Sequence, residues 1–402
     1  MTDSVAFPQG RTCPYQPAPG YQPLADQRPL AQVSLYDGRR VWAVTTRDTA
    51  RRLLVDPRLS SDRTNPAWPM MFPSIAATVT DVQQKVMKIV TALVGADGPV
   101  HSARRKMLIP SFAIRRINAL RPKIQEVVDR QLDHMIANGA PADLISAFTA
   151  PVPVTVLYRL MGIPDDDHEF FEKLSHQLAT GPNANEAYDE LMAYMGRLIA
   201  ERQRNPGEGV LDDLLAKRGA AGDDEDHEDL VSTLVLQVAG GHGTTGTMIS
   251  LGMFTLLQHP EQLAELRADP SLMPVAVDEL LRFLSVPDGV TRLATDDIEV
   301  EGTTIRKNDG VFFINPLINR DPDVYDAPDS LGWHRTSARD HVSFGFGAHQ
   351  CLGQSLARVT MEIALGTLIE RLPDLRLAVA AEEIPFNPTA SFEVITELPV
   401  TW

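Results

Sequence analysis

The chain has 402 residues, 44% of them hydrophobic, and a formal net charge of −16; it can bury a sizeable core and lacks the basic footprint of a nucleic-acid binder. Its two cysteines exclude a disulfide framework and make a reducing, cytoplasmic setting the expectation. No apolar run is long enough to cross a bilayer, so neither a membrane nor a nucleic acid is expected as a partner.

Residues 1–30 carry Pro8, Pro14, Pro17, Pro19, Pro23 and Pro29 and no apolar stretch of signal-peptide length. They are expected to form a proline-rich leader before one domain over 31–402, since no Gly/Ser linker, repeat or low-complexity run divides the chain. Residues 32–36 and 39–45, joined at Asp37-Gly38, predict a hairpin. Residues 46–54 predict a helix stopped before Pro57, and 63–96 are irregular around Pro66, Pro69 and Pro73 before turning apolar. After Asp97, His101 and Arg105 stand four apart, so a helix carries both on one face. Two such donors suit an anion, although a basic helix end is also stable when simply solvated. Residues 116–138 and 142–162 read as amphipathic helices, the second interrupted by Pro151 and Pro153. Residues 165–179 and 186–204 form a helical pair around Gly181-Pro182-Asn183, and the acidic residues 219–229 a surface loop.

Residues 228–257 are the longest helical candidate, spanning about 43 Å at the usual rise. Gly240, Gly241, Gly243 and Gly246 at its centre each cost roughly 1 kcal/mol relative to alanine. A buried helix carrying them must bend, admit a ligand closely or pack tightly on another helix. Glu279 and Arg282 follow as a same-face pair three residues apart. Residues 298–305 predict a second hairpin and 311–314 a further extended piece.

The stretch Phe344-Gly-Phe-Gly-Ala-His-Gln-Cys351-Leu-Gly353 organises the rest. Residues 341–344 alternate like the end of an extended segment, and Gly345 and Gly347 allow a tight turn. Leu356, Val359, Ile363 and Leu368 then recur at near-helical spacing. Cys351 therefore lies near a helix N-terminus, where a thiolate is stabilised. A soft thiolate suits iron or zinc. Cys13 is too distant to complete a local zinc or cluster motif, whereas a haem needs only one protein thiolate. Taken alone, a single cysteine is more often a small core residue.

Phe344, Gly347, His349, Cys351 and Gly353, followed by Leu356-Ala-Arg358, resemble the haem-ligand loop of the cytochromes P-450, and in particular of the soluble actinomycete members. The resemblance runs from about residue 30 to the C-terminus, with His101/Arg105, Glu279/Arg282 and Arg292 in the expected order. It implies a mainly α, single-domain fold with small β-sheets, in which haem b (iron protoporphyrin IX) is buried between the long central helix and the cysteine loop. On that resemblance Cys351 is the axial iron ligand, and His101, Arg105, Arg292 and His349 contact the haem propionates. Phe344, Gly347 and Gly353 bind the haem as part of its ligand loop, Gly240 and Gly241 lie against it, and Glu279, Arg282 and Arg335 form a structural ion-pair cluster.

In the long helix the family has Ala/Gly-Gly-x-acid-Thr. Thr244 and Thr245 match its threonine pair, but Gly243 stands where the acid is expected. The implied activity is monooxygenation: one atom from dioxygen (O2) enters a small hydrophobic organic substrate, a natural product or xenobiotic. Electrons come from a separate ferredoxin and ferredoxin reductase, Thr244 handles protons, and His242 is a candidate substitute for the missing acid. Arg104, Lys106 and Arg358 are candidate docking residues for an acidic ferredoxin. Met70, Met71, Leu93, Val94, Val290 and Phe392 are candidates for the apolar lining of the substrate pocket. Two alternatives stay open. The acid is also absent from the nitric-oxide-reducing members, which accept electrons directly from NADH, and a non-catalytic haem sensor would keep the haem and dispense with turnover.

Overall fold

The computed structural model describes residues 5–71, 90–91, 93–180, 183–221, 227–388 and 394–402. Its largest sheet contains β1 (Val5–Ala6), β2 (Leu30–Ser34), β3 (Arg40–Val44), β4 (Leu59–Ser60), β5 (Gly289–Ala294) and β6 (Gly310–Ile314), in the order β1-β2-β3-β6-β5-β4. The Asp37-Gly38 turn gives the expected hairpin, with Gln32 opposite Trp42 and Val33 opposite Val41. β6 is buried on both faces, as its unbroken apolar run demands. Val311 and Phe313 join the core with Val44, Leu53 and Ile298, while Phe312 and Ile314 join the core with Val33, Ala43 and Tyr21. Tyr21 and Leu24 are thus core residues, and β1 pairs with β2. The described part of the leader drawn at residues 1–30 is built into the unit that follows it.

Helices supply the larger core. α1 (Arg47–Leu54) follows the first hairpin, α2 (Gly98–Leu108) carries His101 and Arg105, and α3 (Pro151–Met161) lies against α4 (His227–Gln258). α5 (Met273–Leu284) carries Glu279 and Arg282, and α6 (Gln354–Arg371) packs against both α4 and α5. The pair expected at 165–204 forms as His168–Thr180 and Ala184–Arg204.

Three local expectations are corrected. Pro151 and Pro153 start α3 rather than interrupt a helix, because a proline in the first turn gives up only an N–H that has no helical partner. The segment before them is a two-residue strand and a π-helical turn, Ile145–Thr149. The acidic stretch is not a loop throughout: one helix runs over Val210–Ala221 and α4 starts at His227. Residues 341–344 join no strand; side chains hold this backbone, with Val342 N–H donating to Asn319 Oδ1 at 2.8 Å and Ser343 N–H to His341 Nδ1 at 3.2 Å. Among the described residues no helix is long and apolar enough to cross a membrane.

Candidate active site

The loop that presents Cys351 is fixed by its own backbone and by α5. Gly345 and Gly347 adopt φ of 68° and 75°, which glycine tolerates without steric cost; a Cβ at Gly347 would lie 2.7 Å from Val55 Cγ1. The turn lets the Cys351 N–H donate to the Phe344 carbonyl at 2.7 Å. Upstream, Ser343 Oγ donates to the Leu281 carbonyl on α5 at 2.7 Å. Burial raises the Cys351 thiol above its ordinary range, opposed by the Gly353 and Gln354 N–H groups and by the Arg105 and Arg358 charges. Cys351 nevertheless keeps accessible surface. The thiol is thus crowded by protein yet still open to a ligand.

The middle of α4 behaves in the same way. Val231, Leu234 and Val238 before it and Met248, Ile249 and Leu251 after it are buried, whereas Gly240 is exposed and Gly241, Gly243, Thr244 and Thr245 are half-buried. A Cβ at Gly240 would meet nothing within 4 Å, but one at Gly241 would lie 2.7 Å from Leu157 Cδ2 and one at Gly246 2.7 Å from the Thr149 carbonyl. Gly240 therefore keeps space open, while Gly241 and Gly246 permit close packing on α3 and the turn before it. Thr244 Oγ1 donates to the Gly240 carbonyl at 3.2 Å. The side chain of His242 lies outside the described residues.

A cationic group of residues lies beside the loop. The His101 and His349 rings stack with centroids 4.0 Å apart and planes 25° apart. Asp97, which sequence reasoning left without a role, accepts from Ser61 N–H at 3.0 Å and from Ser60 Oγ, and faces His349 Nε2 at 3.4 Å. Burial opposes the Asp97 charge, but His349 and the two serines outweigh it and hold the carboxyl at about 2. Burial, with His349 and Arg105, lowers His101 to about 4, so its ring is neutral at pH 7. Arg105 donates to the Gln350 carbonyl in the cysteine loop. Arg292 donates to the Thr291 carbonyl at 2.7 Å and forms no ion pair among the described residues; burial pushes it down to about 10. Arg63, also missed in the sequence, is a further cation near Arg292, lowered by burial and set 5.9 Å over the Trp68 ring.

These residues fit a haem. The thiol is a soft iron ligand, and Arg292, half-buried and without an ion pair among the described residues, suits an anion such as a propionate. Gly240 leaves the side of α4 open where a bound group can approach its backbone. Among the described residues no cluster of three His, Cys, Asp or Glu side chains could hold a metal ion unaided. A haem, which brings four ligands of its own, asks the chain for only one.

The sequence profile of the family described as Cytochrome P-450 matches residues 171–373. Over the full length, the pentalenic acid synthase of Streptomyces avermitilis is 55% identical across 401 residues, covering 99% of this chain and 97% of the relative. The chain belongs to the cytochrome P-450 family. The vitamin D3 dihydroxylase of Streptomyces griseolus is 47% identical across 406 residues, covering 100% and 98% of the two chains. The crystal structure of cytochrome P-450 MoxA from Nonomuraea recticatena matches with a TM-score of 0.90 at 38% identity, over 99% and 98% of the two chains. This P-450 is a haem-thiolate monooxygenase: it binds haem b through an axial cysteine thiolate and uses dioxygen, an organic substrate and redox partners. Neither nitric oxide reduction nor haem sensing gains support from these relatives.

The apolar candidates for the substrate pocket scatter. Val290 is half-buried on β5, two residues before Arg292, and Met70 is half-buried in the preceding loop region. Met71 packs against the core of the first hairpin, Leu93 is buried in the helical core, and Val94 is 43% exposed. Phe392 lies outside the described residues. Arg358 is not a free surface charge: its Nε lies 2.6 Å from Asp278 Oδ1.

Proposed function

We propose that this P-450 hydroxylates a small hydrophobic natural product, with Cys351 as the iron ligand and a separate ferredoxin and reductase as the electron supply. The observation that carries this reading is the pairing of an accessible but crowded thiol with a half-buried Arg292 that forms no ion pair among the described residues. His101, Arg105, Arg292 and His349 would hold the propionates of haem b. When bound, the haem supplies dioxygen activation and transfer of one oxygen atom to the substrate, aided by thiolate electron donation.

The chain's own residues do the rest. The Gly353 and Gln354 N–H groups point charge at Sγ and favour the thiolate. The Phe344 carbonyl fixes the Cys351 backbone. Gly240 leaves the space that a reactant needs, and Thr244 holds a hydroxyl proton one helical turn away. Gly243 offers no carboxyl to pass a proton to that hydroxyl, so water or His242 has to take the part.

Val100, Lys106, Ile109, Ile114 and Arg115 are each exposed on α2 or the segment after it. α2 also sends Arg105 to the cysteine loop. On a chain of net charge −16, exposed cations such as Lys106 and Arg115 near the element that reaches the cysteine loop support an acidic ferredoxin as the partner. The names of the relatives, pentalenic acid synthase and vitamin D3 dihydroxylase, support a hydrophobic natural product as the substrate class.

Spectral titration of the haem-loaded protein with vitamin D3 and with a panel of hydrophobic natural products tests the substrate class. Turnover of a binding compound under isotopically heavy dioxygen then tests the reaction. One heavy oxygen atom per product molecule is expected. Product carrying only ordinary oxygen would overturn the reading.

A further inference from the structure

α5 carries two adjacent buried carboxylates, and only Glu279 has been accounted for. Asp278 is fully buried, yet it touches none of the groups that bind Glu279. Its Oδ1 accepts from Arg358 Nε at 2.6 Å and its Oδ2 from Arg339 Nε at 2.6 Å, and His341 Nε2 lies 3.6 Å from Oδ1. These partners are unequal. The Arg339 side chain is 74% exposed, so water screens its charge. His341 is buried, its basicity lowered by burial, and its Nε2 makes no hydrogen bond. Arg358, permanently charged and only 20% exposed, is therefore the arginine counter-charge least screened by water.

Arg358 in turn reaches the cysteine loop. Its guanidinium stands 4.6 Å from the centroid of the Phe344 ring, and the Phe344 carbonyl accepts the Cys351 N–H at 2.7 Å. Arg358 lies in the first turns of α6, seven residues after Cys351, and its Nη1 also donates to Gln354 Oε1 at 3.1 Å. A carboxylate, a guanidinium, an aromatic ring and the cysteine backbone thus stand in one series. We propose that Asp278 is a positioning residue for the thiolate: by holding and partly neutralising Arg358, it sets how much positive charge the Cys351 sulfur feels. The proposal rests on the haem-thiolate reading above.

The sign of the effect follows. A cation beside the thiolate draws electron density from sulfur and favours the reduced haem, and a carboxylate behind that cation offsets it. Taking the charge off Asp278 leaves Arg358 uncompensated and raises the haem midpoint potential. Taking the charge off Arg358 lowers it.

The test uses the haem-loaded full chain and spectroelectrochemical titration, with the Soret band of the ferrous carbon monoxide complex as the report on thiolate ligation. Asp278→Asn is expected to shift the midpoint potential upward and Arg358→Gln downward, with the double variant close to the unmodified protein. Arg358→Lys, which keeps the charge but not the planar fork, is expected to stay near the unmodified potential. A purely structural role would move all of these variants in one direction, or none of them, and either result overturns the proposal. Should Asp278→Asn fail to retain haem, the contrast between Arg358→Lys and Arg358→Gln decides the matter alone: equal potentials refute it. An unmodified protein without a thiolate-type carbon monoxide band would instead refute the haem-thiolate reading itself.

Discussion

Arg282 and Glu279 face each other through two parallel hydrogen bonds, Nε to Oε2 at 2.7 Å and Nη2 to Oε1 at 2.8 Å, with neither side chain exposed. Arg282 spends its remaining donors on the carbonyls of Asn319, Pro328 and Ser330, and Arg335 adds a third cationic contact to Glu279 at 3.2 Å. The pair pins the segment between β6 and the cysteine loop to α5, which is why a site built from residues far apart in sequence keeps its shape.

Removing one partner of a buried pair leaves the other charge desolvated and costs about 3–5 kcal/mol. Glu279→Gln should therefore lower the urea midpoint of the haem-loaded protein strongly and speed haem loss. A Glu279→Gln variant with an unchanged midpoint would mean that Arg282 is satisfied by carbonyls alone.

Gly243 offers no carboxyl to feed protons towards Thr244. Gly243→Glu should raise the product formed per NADH consumed, and it should not cost helix stability, since an ordinary residue in a helix interior is favoured over glycine by up to about 1 kcal/mol. Equal coupling in the two proteins would show that water alone supplies the protons.

Thr244→Ala deletes a hydroxyl that donates to the Gly240 carbonyl at 3.2 Å. The expected result is a lower yield of product per NADH, with a stability change of no more than about 1 kcal/mol. Unaltered coupling would remove Thr244 from the proton path.

Acid sensitivity should trace to Asp278. Burial opposes its charge, but His341, Arg358 and Arg339 outweigh the burial and hold its carboxyl below the usual carboxylate range. A depressed folded pKa contributes stability above the unfolded value of about 3.9 and loses it as pH falls through the folded value. The stability gap between the unmodified protein and Asp278→Asn should thus be full at neutral pH and shrink on acidification below about pH 4. A gap independent of pH would contradict this, and acid unfolding curves measure it.

The cysteine loop was legible because its residues stand at fixed spacing and two of its glycines adopt the left-handed backbone that the turn requires. The long helix and the ion pair at Glu279 were legible for the same reason: periodicity and i,i+3 geometry are local. What depends on packing across the fold was not. Gly240 and Gly241 look alike in sequence, yet one faces open space and the other Leu157. Asp278 hid beside a better-known neighbour, and its partners come from 61 to 80 residues away. The leader's prolines suggested an appendage, but Tyr21 and Leu24 are buried by a sheet whose last strand comes nearly 300 residues later. Burial of that kind leaves no mark on the segment itself.

Oxidation of NADH by the haem-loaded protein, with nitric oxide alone and separately with ferredoxin and its reductase under air, tests the central claim most directly. The monooxygenase account predicts no oxidation until ferredoxin is present, and oxygen uptake once it is. Rapid NADH oxidation with nitric oxide and no protein donor would contradict it, and would make Gly243 the mark of a different reaction.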